Sequence, residues 1–364
     1  MNGAPNATAI SRLRRLTTHL RPHHIRSAVI DTMSSPPPAA PWRSLFISHL
    51  TSMDSPEFTL GTLRRASAAG PRDRRSSILA TPVYLPRART CICRGLWTHL
   101  PVNPKNDAPL NPSAVWESDL LTFTTDARMD KMEELWEDGI DLGRRAGRGT
   151  DPGSPTTTKV GEELWEEGLA RMKGRVIEEV VAKSTEDKLK SSGGGAVVEA
   201  VFWARKPGVQ WRVRGRAYVL APDVETSPEG REVITLLKSR MRRPSPPGGG
   251  RAHREESEWS FAREITAHFG NLSPIMRGSF RNPPPGRPVA LPVEGEGLAL
   301  GQQVTDLEDP IARANFRVVV IVPDELDQAD LSNPERPRRW IHTYVGGAGH
   351  ARGQNEWETV EVWP

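Results

Sequence analysis

The chain has 364 residues, is 37% hydrophobic, and carries 49 Lys and Arg against 45 Asp and Glu, a net charge of +4. No run approaches the roughly 18–20 apolar residues that cross a bilayer, so the sequence reads as a soluble protein. The 31 glycines and 33 prolines cluster in a few stretches. Part of the length is therefore linker and insertion, and the remainder suits one well-buried β-rich domain.

Residues 1–39 read as a disordered or targeting leader. Arg12, Arg14, Arg15, Arg21 and Arg26 face a single acid, Asp31, in the first 32 residues, a pattern that resembles a mitochondrial transit segment. Met33 offers an alternative start, which would leave a cytoplasmic protein. The domain is expected over 40–364. Trp42, Leu45, Phe46 and Leu50 recur at helical spacing. Residues 57–65 alternate as a strand, and residues 87–97 form a second one. On that strand Thr90, Ile92 and Arg94 share one face, while Arg89, Cys91, Cys93 and Gly95 share the other. A third strand, 119–125, runs through Thr124 and Thr125 to Asp126, an N-cap residue type, and a helix is expected from about Arg128 to Ile140.

An insertion is expected at about 143–195. It holds EELWEEGL at 162–169, which repeats EELWEDGI at 133–140, a local duplication rather than a solenoid. Strands at 197–204 and 210–220 flank a Lys-Pro-Gly turn and form a hairpin. Helices follow at about 229–241 and 258–269, separated by a second insertion at about 243–256. A Pro-rich segment at 283–294 leads to strands at 315–322, 338–344 and 357–363, the last two split by a Gly-rich loop, 346–353. Six to eight antiparallel strands favour closure into a barrel, because closure removes exposed edges.

Cys91 and Cys93 are the only cysteines. Two apart on one strand, they point the same way, cannot bridge without strain, and are too few for zinc, so reduced thiols are expected. No P-loop, dinucleotide-binding glycine pattern, His-Glu-x-x-His or Gly-x-Ser-x-Gly occurs. Metal and nucleophilic catalysis therefore have no support. Three clusters can hold a phosphate-bearing group instead. Arg89 and Arg94, five apart, face opposite sides, so only one reaches a given pocket unless the strand bulges. Thr124, Thr125, Arg128 and Lys131 sit where a strand meets a helix start, a favourable place for an anion. Gln210, with Arg212 and Arg214, lies on one face of the hairpin. Each of these residues taken alone is as readily a solvated charge or an ordinary cap.

The order of these segments resembles a known family. PWRSLF (41–46), FTLGTL (58–63), RTCICRG (89–95), LTFTTDARMDK (121–131), AVFWA (200–204), QWRVRGRAYVL (210–220), LSPIMRGSF with RNPPPG (272–286) and NFRVVVIVPDELDQADL (315–331) are similar to the FMN-binding domain of pyridoxamine 5'-phosphate oxidase-like proteins. The likeness is greatest to the divergent branch with an F-T-T-D-x-R-x-x-K segment. The resemblance implies a mainly β fold, an antiparallel split β-barrel with peripheral helices, that dimerises and binds FMN between subunits. It implies flavin contacts for Arg89, Arg94, Phe123, Thr124 and Gln210, and phosphate contacts for Arg128 and Lys131. Thr156–Val160 partly copies the phosphate segment but lacks the strand before it.

The Tyr, Arg and Ser with which the oxidases read a substrate phosphate have no counterpart in the sequence. Their late Arg-x-His pair reads Pro334-Glu335-Arg336-Pro337-Arg338, without the His. The expectation is an FMN-dependent oxidoreductase, a homodimer acting on an unidentified small molecule, with no catalytic residue assigned. The alternatives are a flavin carrier or sensor without turnover and, ranked last, a nucleic-acid-binding barrel suggested by the arginines.

Overall fold

The computed structural model describes residues 38–65, 84–113, 115–136, 190–244, 257–293, 295–346 and 356–364. The expectations for residues 1–37, for most of the 143–195 insertion with its repeat and Thr156–Val160, and for 245–256 and 347–355 lie outside the described residues. Helix α1 (Arg43–Ser52) leads into β1 (Glu57–Arg65), β2 (Tyr84–Leu96), β3 (Glu117–Ser118) and β4 (Leu121–Asp126), then α2 (Lys131–Trp136). Strands β5 (Gly193–Ala204) and β6 (Val209–Leu220) form the hairpin. Helix α3 (Pro228–Ser239), β7 (Met241–Arg242), α4 (Phe261–Gly270), α5 (Pro274–Gly278) and α6 (Pro310–Asn315) precede β8 (Phe316–Asp330), β9 (Arg338–Tyr344) and β10 (Trp357–Val362).

Eight strands make one antiparallel sheet in the order β10-β9-β8-β4-β2-β1-β5-β6, and β6 pairs again with β8. Six strands therefore close into a ring, the arrangement that the split-barrel expectation requires. β8 is the seam. Its first half pairs with β4, from Asp126↔Phe316 to Leu121↔Ile321, and its second half pairs with β9, from Glu325↔Thr343 to Asp330↔Arg338. β6 runs along its other edge.

Alternation decides the ring interior. Phe58, Leu60, Cys93, Phe123, Val198, Phe202, Trp211 and Val319 point inward and are buried. α1 closes one end with Phe46, edge-on to Phe202 at 5.2 Å and to Trp211 at 5.3 Å. Outside the ring, α3, α4 and α5 cover β4 and the first half of β8. A second core forms there from Trp97, Leu120, Leu237, Ile265, Phe269, Phe316, Val318 and Val320. Burial on both faces explains the unbroken apolar run VVVIV at 318–322.

The sequence expected β8 to stop at Val322, because Pro323 donates no hydrogen bond. The strand continues to Asp330. Arg214 pairs with Glu325 and Gly215 with Pro323, so β8 carries one extra residue, Asp324, and that bulge in β8 accommodates the proline. Gly215 is needed there, since a Cβ would lie 2.1 Å from the Val322 carbonyl oxygen. Cys91 and Cys93 are free, buried and turned the same way, as expected. No helix among the described residues is long and apolar enough to cross a membrane.

Candidate functional site

A cavity of about 820 Å³ opens where the outer face of β2 and the end of β4 meet the helical layer. Arg94, Thr124, Thr125, Asp126 and Lys131 line one end of it. Leu272, Met276, Phe280 and residues of 283–293 and 298–300 line the other.

The polar end is built by three local events. The first is a bulge. Cys93 pairs with Phe123 and Leu96 with Leu121, so β2 spends one residue more than β4 between the two pairs. The extra residue re-aims the strand. Gly95 adopts φ 92° there, and Thr122 Oγ1 donates to its carbonyl at 3.0 Å. Arg94, beside the bulge, faces the cavity together with Thr90 and Ile92, as the alternation of β2 dictates. Its Nε is buried and has no hydrogen-bond partner, and burial lowers the affinity of its guanidinium for the proton.

The second event is the alternation of β4. Thr124 turns outward to the cavity while Phe123 is wholly buried inside the ring, 5.8 Å from Phe58. The third is the turn into α2, which brings Lys131 over Thr125. Its Nζ donates to Thr125 Oγ1 at 2.9 Å. Burial pulls the Lys131 pKa below the usual lysine range, and the nearby charge of Arg89 adds to the effect, against Cys91, Asp126 and Glu134. A buried guanidinium N–H without a partner, a desolvated ammonium and two hydroxyls on one wall are the donor set that an anionic ester oxygen needs.

The other basic residues singled out in the sequence are already committed. Arg89 turns inward, where its Nη2 pairs with Glu134 Oε2 at 2.5 Å and its Nη1 donates to Thr62 Oγ1 at 2.5 Å. The Glu134 side chain is fully buried. Arg128 clamps Asp126 through Nε at 2.9 Å and Nη2 at 2.6 Å, and donates to the carbonyls of Asn282 and Phe280. It ties the β4–α2 turn to the segment that forms the far wall, and is absent from the cavity lining. Gln210 lies on the outer face of β6 opposite Trp203, also outside the lining. Its neighbours Arg212 and Arg214 pair with Glu199, Asp327 and Glu325, so they are an ion-pair ladder on the sheet and not an open basic stripe.

The structure thus brings Arg94, Thr124 and Lys131 to one cavity and leaves Arg89, Phe123, Arg128 and Gln210 off its wall or bound elsewhere. Sequence reading assigned no role to the apolar half. Leu272 and Met276 lie in the LSPIMRGSF segment that carries the family resemblance, and the 288–293 and 298–300 residues had no signal beyond a Pro-rich run, which marks a loop without saying what the loop faces.

Residues 39–145 match the family of the pyridoxamine 5'-phosphate oxidase, FMN-binding domain. That match holds every residue of the polar end and nothing of the apolar wall. FMN is the cofactor that the family description names. No curated protein matches the chain. Two crystal structures are similar at low identity. One is a pyridoxamine 5'-phosphate oxidase-related, FMN binding protein from Nostoc punctiforme, at 14% identity and a TM-score of 0.45, covering 90% of this chain and 100% of that one. The other is PhzG from Burkholderia lata in complex with tetrahydrophenazine-1-carboxylic acid, at 12% identity and a TM-score of 0.33, covering 90% and 94%.

Among the described residues no group of three or more His, Cys, Asp or Glu is placed to hold a metal ion.

Proposed function

We propose that the chain is an FMN-dependent oxidoreductase that works as a homodimer. The observation that carries the reading is the convergence of Arg94, Thr124, Thr125 and Lys131 on one end of the cavity, inside the segment that matches the FMN-binding family. When bound, FMN supplies the hydride chemistry. The chain's part is to hold and orient it. Arg94 and Lys131 fix the phosphate by charge-assisted bonds, and the Thr124 and Thr125 hydroxyls add directional contacts.

Support for the dimer comes from the sheet itself. Leu63, Leu85 and Trp203 are exposed on β1, β2 and β5. Thr90 lines both the 820 Å³ cavity and a neighbouring 490 Å³ hollow that holds Trp203. A second copy laid on this face would close the cavity from outside, and Gln210 would then lie at the seam.

The test is direct. The purified chain should be yellow, release a chromophore with the mass of FMN, and sediment as a dimer. Its flavin should bleach under NADH or NADPH and recover in air. A colourless chain that takes up no added FMN sinks the reading. Bound FMN that neither nicotinamide reduces makes it a carrier or sensor.

A further inference from the structure

The far wall of the cavity is built on a different plan from the polar end. Between Arg281 and Gln302 the chain is pinned at both ends. Arg281 donates through Nε and Nη2 to the Gly297 carbonyl and pairs through Nη1 with Asp309 at 2.9 Å. Gln302 Nε2 donates to the carbonyls of Gly297 and Ala299, and the Ala299 N–H donates to the Arg281 carbonyl. At the near end Arg128 and Asn315 hold the Phe280 carbonyl. Polar groups are spent on fixing the backbone.

Most of the side chains delivered to the cavity between the pins are aliphatic, with Asn282 and Arg287 the polar exceptions among the described residues. Val289 is fully exposed, Leu291 and Val293 are half exposed, and all three line the cavity. Leaving such surface in water forgoes about 25 cal/mol per Å². A patch of this kind with a polar rim marks a binding surface. Pro283, Pro285, Pro288 and Pro292 lie in the same wall. Each fixes its own φ, so the wall is preformed and a ligand pays little to order it.

The charges say what the ligand is. Among the described residues four charged side chains line the cavity, and three of them, Arg94, Asp126 and Lys131, stand at the polar end. The fourth, Arg287, is already engaged within the chain. A concave space of about 820 Å³ suits a small molecule better than a flat protein contact. We propose that the wall formed by residues of 283–293 and 298–300 binds a neutral, largely apolar second ligand, aromatic or aliphatic, beside the cofactor. This rests on the FMN reading of the polar end. It gives the substrate class: an uncharged hydrophobic compound and not a phosphate ester.

The experiment uses equilibrium dialysis of 2-naphthol and its charged counterpart 2-naphthoate against the full-length, flavin-loaded chain. 2-Naphthol should bind once per chain and at least about tenfold more tightly than 2-naphthoate. The double variant Leu291→Ser, Val293→Ser should weaken 2-naphthol about tenfold or more, from the apolar area lost. Leu291→Met with Val293→Leu should restore it. Flavin content and sedimentation are read on every variant. Retained flavin with no 2-naphthol binding, a preference for 2-naphthoate, or binding indifferent to the serines overturns the proposal and leaves the cofactor reading intact. Serine variants that alter only the sedimenting size also overturn it and make the wall a contact between copies. Binding that follows the substitutions in a chain that never takes up FMN supports the apolar site and sinks the cofactor reading instead.

Discussion

The two ends of the cavity are made by different physics. The polar end uses rigid elements: a bulged strand, a strand terminus and a helix start, each placed by the ring. The apolar end is irregular chain, held by side-chain-to-backbone hydrogen bonds from Arg281, Gln302, Asn315 and Arg128. A charged ester needs donors fixed to within a few tenths of an ångström, which regular elements supply. An apolar ligand needs only area and shape, which a stapled loop supplies. The difference separates recognition of a fixed cofactor from recognition of a variable substrate.

Breaking the polar end should give the largest effect. Hydrogen bonds to charged groups contribute about 1.5–3 kcal/mol each. Arg94→Met and Lys131→Met should each weaken FMN binding about tenfold or more, and the double variant about a hundredfold or more, by fluorescence titration. Arg89→Met should behave otherwise. It leaves the fully buried Glu134 carboxylate with the Thr62 hydroxyl and a longer contact to Arg87 at 3.8 Å and should cost about 3 kcal/mol of stability in urea unfolding, with a smaller change in flavin affinity. If Arg89→Met loses flavin and Arg94→Met does not, the division between committed and cavity-facing arginines is wrong.

A second contrast lies under the cavity floor, in His268 on α4. Its ring stacks on Trp97 at 5.9 Å, and neither nitrogen has a hydrogen-bond partner. Burial first, and then the charge of Arg94, push its pKa down to about 3. A histidine held neutral in the fold but protonated near its ordinary value when unfolded supports stability above about pH 6.5, and that support drains away as pH falls towards 3. The chain should lose about 2 kcal/mol from this group between pH 7 and pH 5. His268→Phe should remove that part of the slope, as read from urea midpoints at the two pH values. An unchanged slope would mean that the ring is not held neutral.

The smallest effect sharpens the picture of Lys131. Its pKa is lowered by burial, and a bound phosphate would raise it again. FMN should therefore bind best while the amine is protonated and should weaken, by about tenfold at the limit, as pH rises through the lowered value. The Lys131→Met profile should be flat over the same range. Parallel profiles for the two proteins would remove Lys131 from the phosphate.

Much of the ring was legible where one face of the strand is wet. β1, β5 and β6 alternate cleanly, and their boundaries follow, except that β5 begins at Gly193, four residues before the expected start, within the glycine run read as the end of the insertion. β8 was legible only as far as Val322, since the bulge at Asp324 that accommodates Pro323 is defined only by pairing with β6, more than 100 residues earlier in the chain. At the site, the opposed faces of Arg89 and Arg94 followed from spacing alone. The role of Arg128 did not, because its partners at 280 and 282 are brought to it by the fold. The apolar wall was hidden for the same reason: proline runs announce a loop, never the loop's target.

The seam at β8 bears on how the molecule is made. The family-matched segment, 39–145, supplies β1 to β4 and α2 among the described residues, but not β5, β6 or β8. Emerging from the ribosome, it presents unpaired edges and a half-roofed Phe123. Closure waits until residue 316 and beyond has been synthesised and threads between β4 and β6. The recognisable third of this protein is therefore not a self-sufficient folding unit. A fragment cut at 145 should be caught by chaperones or aggregate.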